Sequence, residues 1–286
     1  MFVWSKLSSP KWEDAWAERF YSEGQTNAVI SHLKGGKSIR IEVYCDDREH
    51  AEAIQKLFGG SVRELKQENW AAMKPPPRGP IKIRQQLVIT EEADPAAIAE
   101  VTGANPGREV IAIPAQMAFG TGDHATTATC LRFLVDIAGE IGAGDWSMLD
   151  VGCGSGILAI AAQKLGADPV EGFDYDPHAV TVATENALRN GASGRVEFFE
   201  RNLLEWKPGE GERWDCVCAN VFADILAAAA PTLAKILAPG GHLVVSGILR
   251  EHADECFEAL RAEGIDLTEI KTIGKWTTAR GRRSSS

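Results

Sequence analysis

The stretch Met148–Gly156, reading MLDVGCGSG, constrains the fold more than any other part of the chain. Met148, Leu149 and Val151 are apolar and flank Asp150, the pattern of a short buried strand. Gly152-Cys153-Gly154-Ser155-Gly156 follows, and the apolar run Ile157–Ala162 then opens a helix. A strand, a glycine turn and a helix start together form a ligand cradle. Glycines let backbone approach a ligand closely, and the unpaired N–H groups and helix dipole favour negative charge there. The spacing is G-x-G-x-G, and Ile157 stands where a dinucleotide site needs its third glycine. That departure argues against a nicotinamide oxidoreductase. Asp150, Gly152, Gly154 and Gly156 become candidate cofactor-binding positions.

A second short strand, Val170–Phe173, ends in Asp174. An acid at that tip, about 20 residues past the glycines, is placed to accept hydrogen bonds from a ribose diol. Asp176 precedes Pro177 and fits a helix N-cap, because proline favours the first helical position. Arg195–Phe199 and Trp214–Asn220 give a third and a fourth strand, and Asn220 falls at the carboxyl end of the fourth. Ligands of open α/β sheets bind at the carboxyl ends of strands, so Asn220 joins Gly152 and Asp174 on one rim. His242–Ser246, a helix from His252 to Glu263 and strands around Leu267–Thr278 follow. The pattern predicts a doubly wound α/β domain over 108–279 and a disordered tail over 280–286.

The front of the chain has a different rhythm. Phe2–Leu7, Lys11–Ser22, Ala28–Leu33, Ser38–Tyr44, Arg48–Phe58 and Ser61–Leu65 alternate as βαββαβ, with a hairpin signal at Lys34-Gly35-Gly36-Lys37. That order predicts a small ferredoxin-like α+β domain over 1–67. It carries no chemical constellation, so its expected job is recognition, with a purely structural or dimerising module as the alternative. Pro75-Pro76-Pro77 cannot continue a helix, and residues 68–107 read as a hinge with one lead-in strand over 81–90. Further on, Phe119-Gly120-Thr121-Gly122 is too glycine-rich for a regular element, and Asp123–Thr127 offers caps to the helix behind it.

The net charge is −10, and residues 1–70 carry only 10 basic against 11 acidic side chains. The acidity therefore sits in the larger part, and no basic patch speaks for nucleic-acid binding. No run of about 18 apolar residues appears, so no membrane span is expected. The first residues lack the basic start and apolar block of a signal peptide. The six cysteines show no metal spacing and read as reduced, buried thiols of a cytoplasmic protein.

FGTGDHATT, LDVGCGSGILAIAAQKLGA, GFDYDP, ANVFADIL, LAPGG and SGILREH occur in that order. Together they resemble the ribosomal protein L11 methyltransferases, a family of class I S-adenosylmethionine (SAM) methyltransferases. The likeness covers roughly residues 108–280, and FGTGxHxTT is its specific part. The resemblance implies SAM as cofactor, with contacts at Thr127, Gly152, Asp174 and Asn220. Asp150, Gly154, Gly156, Phe119 and Gly120 line the same pocket, the last two in a loop that closes over it. Asn202, past the third strand, is read either as a contact to the adenine or as a surface-loop residue. The implied reaction is methyl transfer to amines of a ribosomal protein, lysine side chains and the N-terminal α-amine, by a monomer. Asn220 would orient the amine, and His124 is a candidate proton acceptor or a structural hydrogen bonder. A related lysine methyltransferase with another protein target is the alternative, since the front domain and the proline hinge are less typical of the family; the change to Asn220-Val221-Phe222-Ala223 is mild.

Overall fold

The structure is a computed structural model that describes residues 2–12, 16, 28–32, 38–45, 47–64, 79–114, 125–142 and 146–284. The chain divides into two compact units, Met1–Pro76 and Pro77–Ser286.

In the first unit, β1 (Phe2–Ser8), β2 (Ala28–His32), β3 (Ile39–Cys45) and β4 (Ser61–Glu64) form a sheet of order β2-β3-β1-β4. Every neighbouring pair is antiparallel. Along β3 the buried residues are Ile39, Ile41, Val43 and Cys45, the period-two pattern of a sheet with one face packed. They pack with Trp4 and with Ala51, Ile54 and Phe58 of α1 (Arg48–Phe58). Asp47 caps that helix by accepting from the His50 N–H at 2.7 Å. Strand order and directions are those a βαββαβ chain produces. The expected first helix and the Lys34–Lys37 turn lie mostly or wholly outside the described residues.

The second unit begins earlier than the sequence reading placed it. Residues 79–107, read as hinge and lead-in strand, fall in this unit. Residues 81–112 form a three-stranded sheet of β5 (Ile81–Ile83), β6 (Leu87–Thr90) and β7 (Glu109–Ala112), with α2 (Pro95–Gly103) connecting β6 to β7. What read as one strand over 81–90 is a hairpin turning through Arg84, whose φ is +51°. No glycine or proline marks that turn, which is why it looked continuous. Ile83, Leu87, Ile89 and Ile111 are buried against Leu131, Phe133 and Leu134 of α3 (Ala125–Ile141).

The main sheet contains β8 (Met148–Val151), β9 (Val170–Asp174), β10 (Val196–Glu200), β11 (Trp214–Asn220), β12 (Leu237–Leu249), β13 (Ile265–Ile273) and β14 (Trp276–Arg283). Its order is β10-β9-β8-β11-β12-β14-β13. The first five are parallel, and β14 runs antiparallel to both its neighbours. α3, α4 (Ile157–Lys164) and α5 (Pro177–Arg189) pack on one face; α6 (Ala223–Ala228), α7 (Ala230–Ile236) and α8 (Ala253–Ala262) pack on the other. Coverage of both faces explains why β8 is buried at every position and reads as continuous apolar sequence.

The expected disordered tail is also corrected. Arg280–Arg283 are the end of β14, in register with β12 and β13. Arg280 and Arg282 are ion-paired. Arg280 donates to Glu140 at 2.7 Å and to Glu269 at 3.0 Å, Arg282 donates to Glu140 at 2.8 Å, and Arg283 donates to the Leu237 carbonyl at 2.7 Å.

Candidate functional site

The turn after β8 takes a backbone path that side chains resist. Gly152, Gly154 and Gly156 have φ of +67°, +51° and +76°. At Gly156, the start of α4, a Cβ would stand 2.8 Å from the Phe198 ring and 3.0 Å from Ala183. Asp174, at the tip of β9, fastens the turn from the side. One of its carboxylate oxygens accepts the Gly154 N–H at 3.0 Å, and the other accepts the Asp176 N–H at 3.1 Å. Each oxygen keeps a lone pair for a ligand hydroxyl. Asp176 caps α5 through the His178 N–H at 2.8 Å, the cap expected from the sequence.

Asp150 lies beneath the turn, 1% exposed, and accepts the Ala159 N–H at 3.1 Å. Burial pushes its carboxyl up to about 8, the Ala159 hydrogen bond opposes this, and the nearby Asp174 charge adds to it. Burial likewise raises the Cys153 thiol strongly, so it is no nucleophile at neutral pH.

Asn220 ends β11 two strands from Asp174. Its amide nitrogen faces the Thr126 and Thr127 hydroxyls at the start of α3, both at a long 3.5 Å. Its carbonyl oxygen is buried and has no partner among the described residues. A buried acceptor of this kind costs free energy unless something donates to it. The structure thus brings Thr127, Asp150, Gly152, Gly154, Gly156, Asp174 and Asn220 to the carboxyl ends of β9, β8 and β11. Phe119, Gly120 and His124 lie outside the described residues. No cluster of metal-ligating side chains occurs among the described residues, and no described helix is long and apolar enough to cross a membrane.

Two residues of the rim were not found from sequence. Asn186 of α5 is fully buried and donates to the Ser155 carbonyl at 3.0 Å, holding the turn from behind. Arg201 donates its backbone N–H to the Asp174 carbonyl at 2.9 Å and stacks its guanidinium on Trp206 at 4.5 Å. Neither belongs to a local motif; only the fold brings them to the turn. Asn202 spends its side-chain oxygen on the Leu204 N–H at 3.1 Å, which favours the loop reading of that residue.

A parallel sheet continued by an antiparallel β14, with a G-x-G-x-G turn after its central strand and an acid at the next strand's tip, defines a class I SAM-dependent methyltransferase. The comparisons with known proteins agree. The family model described as "Ribosomal protein L11 methyltransferase (PrmA)" matches residues 4–284, and the chain belongs to that family. The ribosomal protein L11 methyltransferase of Pelotomaculum thermopropionicum is 39% identical over 253 residues, 87% of this chain and 76% of that one. That of Geobacter sulfurreducens is 38% identical over 242 residues, 85% and 75% of the two chains. Among solved structures, the ribosomal protein L11 methylase of Lactobacillus delbrueckii subsp. bulgaricus is 28% identical with a TM-score of 0.59, covering 72% of this chain and 98% of that one. The protein is thus a SAM-dependent protein methyltransferase.

Proposed function

We propose that this enzyme methylates amines of ribosomal protein L11, lysine side chains first. The observation that carries the reading is the orphaned Asn220 oxygen on the same rim as the Asp174-fastened glycine turn. The residues present fit SAM: glycines that admit no side chain, a carboxylate with spare lone pairs, and a buried acceptor at the neighbouring strand end. When bound, SAM supplies an electrophilic methyl group. Gly152, Gly154 and Gly156 line its pocket, Asp174 accepts from the ribose hydroxyls, and Thr127 closes the pocket from α3; Phe119 and Gly120, outside the described residues, are further candidate contacts. Asp150 supports the turn from below through the Ala159 N–H.

Asn220 accepts an N–H from the incoming amine and so aims its lone pair. Catalysis of this kind is mainly alignment. Free lysine, with a pKa of about 10.4, must first lose a proton, and desolvation at the rim favours the neutral amine. His124 is the candidate acceptor for that proton; an unchanged pH–rate profile in His124→Ala would remove it from this role. The unit Met1–Pro76 serves acceptor recognition, and the enzyme works as a cytoplasmic monomer.

The test is transfer of radiolabel from SAM to purified L11, with a whole-cell extract as parallel acceptor. Label on L11 that Asp174→Ala abolishes is the expected result. Label on another protein alone would overturn the L11 reading and leave the chemistry.

A further inference from the structure

The segment Asn220-Val221-Phe222 leaves β11 and passes between two glycines of the neighbouring strands. On one side lies Gly152 of the turn after β8. A Cβ there would stand 2.4 Å from Val221 Cγ1, so the valine methyl fills the volume that the missing side chain leaves. On the other side lies Gly247 of β12, one position past the last β11–β12 pair, Asn220 with Ser246. A Cβ there would stand 2.6 Å from the Val221 carbonyl oxygen and 3.2 Å from its nitrogen. Gly247 has φ +80°, and Gly152 +67°. The peptide of Val221 is thus seated in one glycine notch and its side chain in the other. Valine is stiff at χ1, so the wedge is rigid. Its immediate neighbour is Asn220, whose oxygen is buried without a described partner.

We propose that Val221 is a positioning residue: wedged between Gly152 and Gly247, it ties the cofactor turn to Asn220 and sets the direction of the Asn220 carbonyl. This rests on the reading of Asn220 as the group that aims the amine. It gives the SGIL sequence at Ser246–Leu249 a task, since only glycine at 247 leaves room for the Val221 peptide. It also separates the two glycines chemically. The Gly152 notch is filled by a side chain and can be relieved by trimming that side chain. The Gly247 notch is filled by backbone and cannot.

The experiment measures SAM affinity by calorimetry, thermal midpoint, and kcat and KM on the acceptor protein, for Val221→Ala, Val221→Thr, Gly152→Ala, Gly152→Ala/Val221→Ala and Asn220→Ala. Val221→Ala should lower kcat about tenfold to a hundredfold, the cost of a misaimed group, while KM and SAM affinity stay within about threefold. Val221→Thr, which keeps the branched shape, should restore kcat. Gly152→Ala should lose SAM affinity, and adding Val221→Ala should recover about tenfold of it, short of the full value because φ stays positive. Unchanged kcat in Val221→Ala, or no recovery in the double variant, would overturn the wedge. If Asn220→Ala also keeps its kcat, the reading of Asn220 fails with it; if Asn220→Ala loses activity while Val221→Ala does not, the wedge alone fails.

Discussion

The four-stranded sheet of the first unit and the rim of the seven-stranded sheet treat polar groups in opposite ways. In the first unit, donors beside the core find acceptors within the unit. Trp4 Nε1 donates to the Gly59 carbonyl at 2.6 Å, and the Lys6 ammonium donates to the Phe58 carbonyl. The open face of that sheet carries a shallow recess of about 440 Å³ lined by Ser5, Leu7, Arg40, Glu42, Ser61 and Arg63, with charges at the surface. At the rim the reverse holds. Asp150 is buried with its pKa raised, and Asn220 buries an oxygen that nothing described satisfies. Misfit and burial collect where the chemistry is; the first unit is built for shape.

The largest effect should come from breaking the first unit alone. Trp4 is fully buried and packs edge-on against Phe58. Trp4→Ala should cost that unit about 3–5 kcal/mol, enough to melt so small a core. SAM affinity, measured by calorimetry, should stay within about twofold while methylation of the acceptor protein collapses. Loss of SAM binding would show that the two units depend on each other.

Next comes the rim. Asp174→Ala removes two carboxylate–backbone hydrogen bonds and the proposed acceptor for the ribose. Charged hydrogen bonds carry about 1.5–3 kcal/mol, so SAM affinity should fall about a hundredfold. The first unit should remain folded, with its own melting transition unmoved. An affinity close to that of the unaltered enzyme would take the ribose role away from Asp174.

These residues were readable for a physical reason, and others were not. The β8 strand, its glycine turn, Asp174 and the Asp176 cap are local: each follows from a handful of neighbouring residues whose turn, cap and burial preferences agree. The misreadings are non-local. Arg280 and Arg282 looked like a solvated tail because their partner, Glu140, lies 140 and 142 residues away. The β5–β6 hairpin was hidden because a non-glycine residue makes its turn. Asn186 and Arg201 reach the site from a helix face and a loop, and no spacing in the sequence announces either.

Asp150 sharpens the comparison through pH. Folded, its carboxyl keeps its proton up to about 8, against 3.8 for the free side chain. Between those values the folded state binds more protons than the unfolded one, so stability must fall as pH rises through the window and level off above it. Asp150→Asn removes the titration. Thermal midpoints at pH 5 and pH 8 should therefore differ less in the variant than in the unaltered protein. An equal difference in both would mean that Asp150 does not titrate in this range.

The smallest effects compare ion pairs of the two units. Arg63 meets Glu42 at 3.0 Å with its own side chain 49% exposed. Such a pair is largely screened, and Arg63→Ala should cost under about 1 kcal/mol. Arg280 is part of a network: it holds Glu140 and Glu269 at once, and Arg282 holds Glu140 as well. Burial works against the charge on Glu140, yet the hydrogen bonds from Arg280 and Arg282 hold its carboxyl below the usual range. A carboxyl lowered in the folded state stabilises above its free pKa and loses that contribution as pH falls through its folded value. Arg280→Ala should therefore cost about 2 kcal/mol at neutral pH, more than Arg63→Ala, and the gap should narrow on acidification. Denaturation at pH 7 and pH 3 reads both. Equal costs at pH 7 would mean that the strand-end network is no stronger than an exposed pair, and that β14 is held in the sheet by its backbone ladder and packing alone.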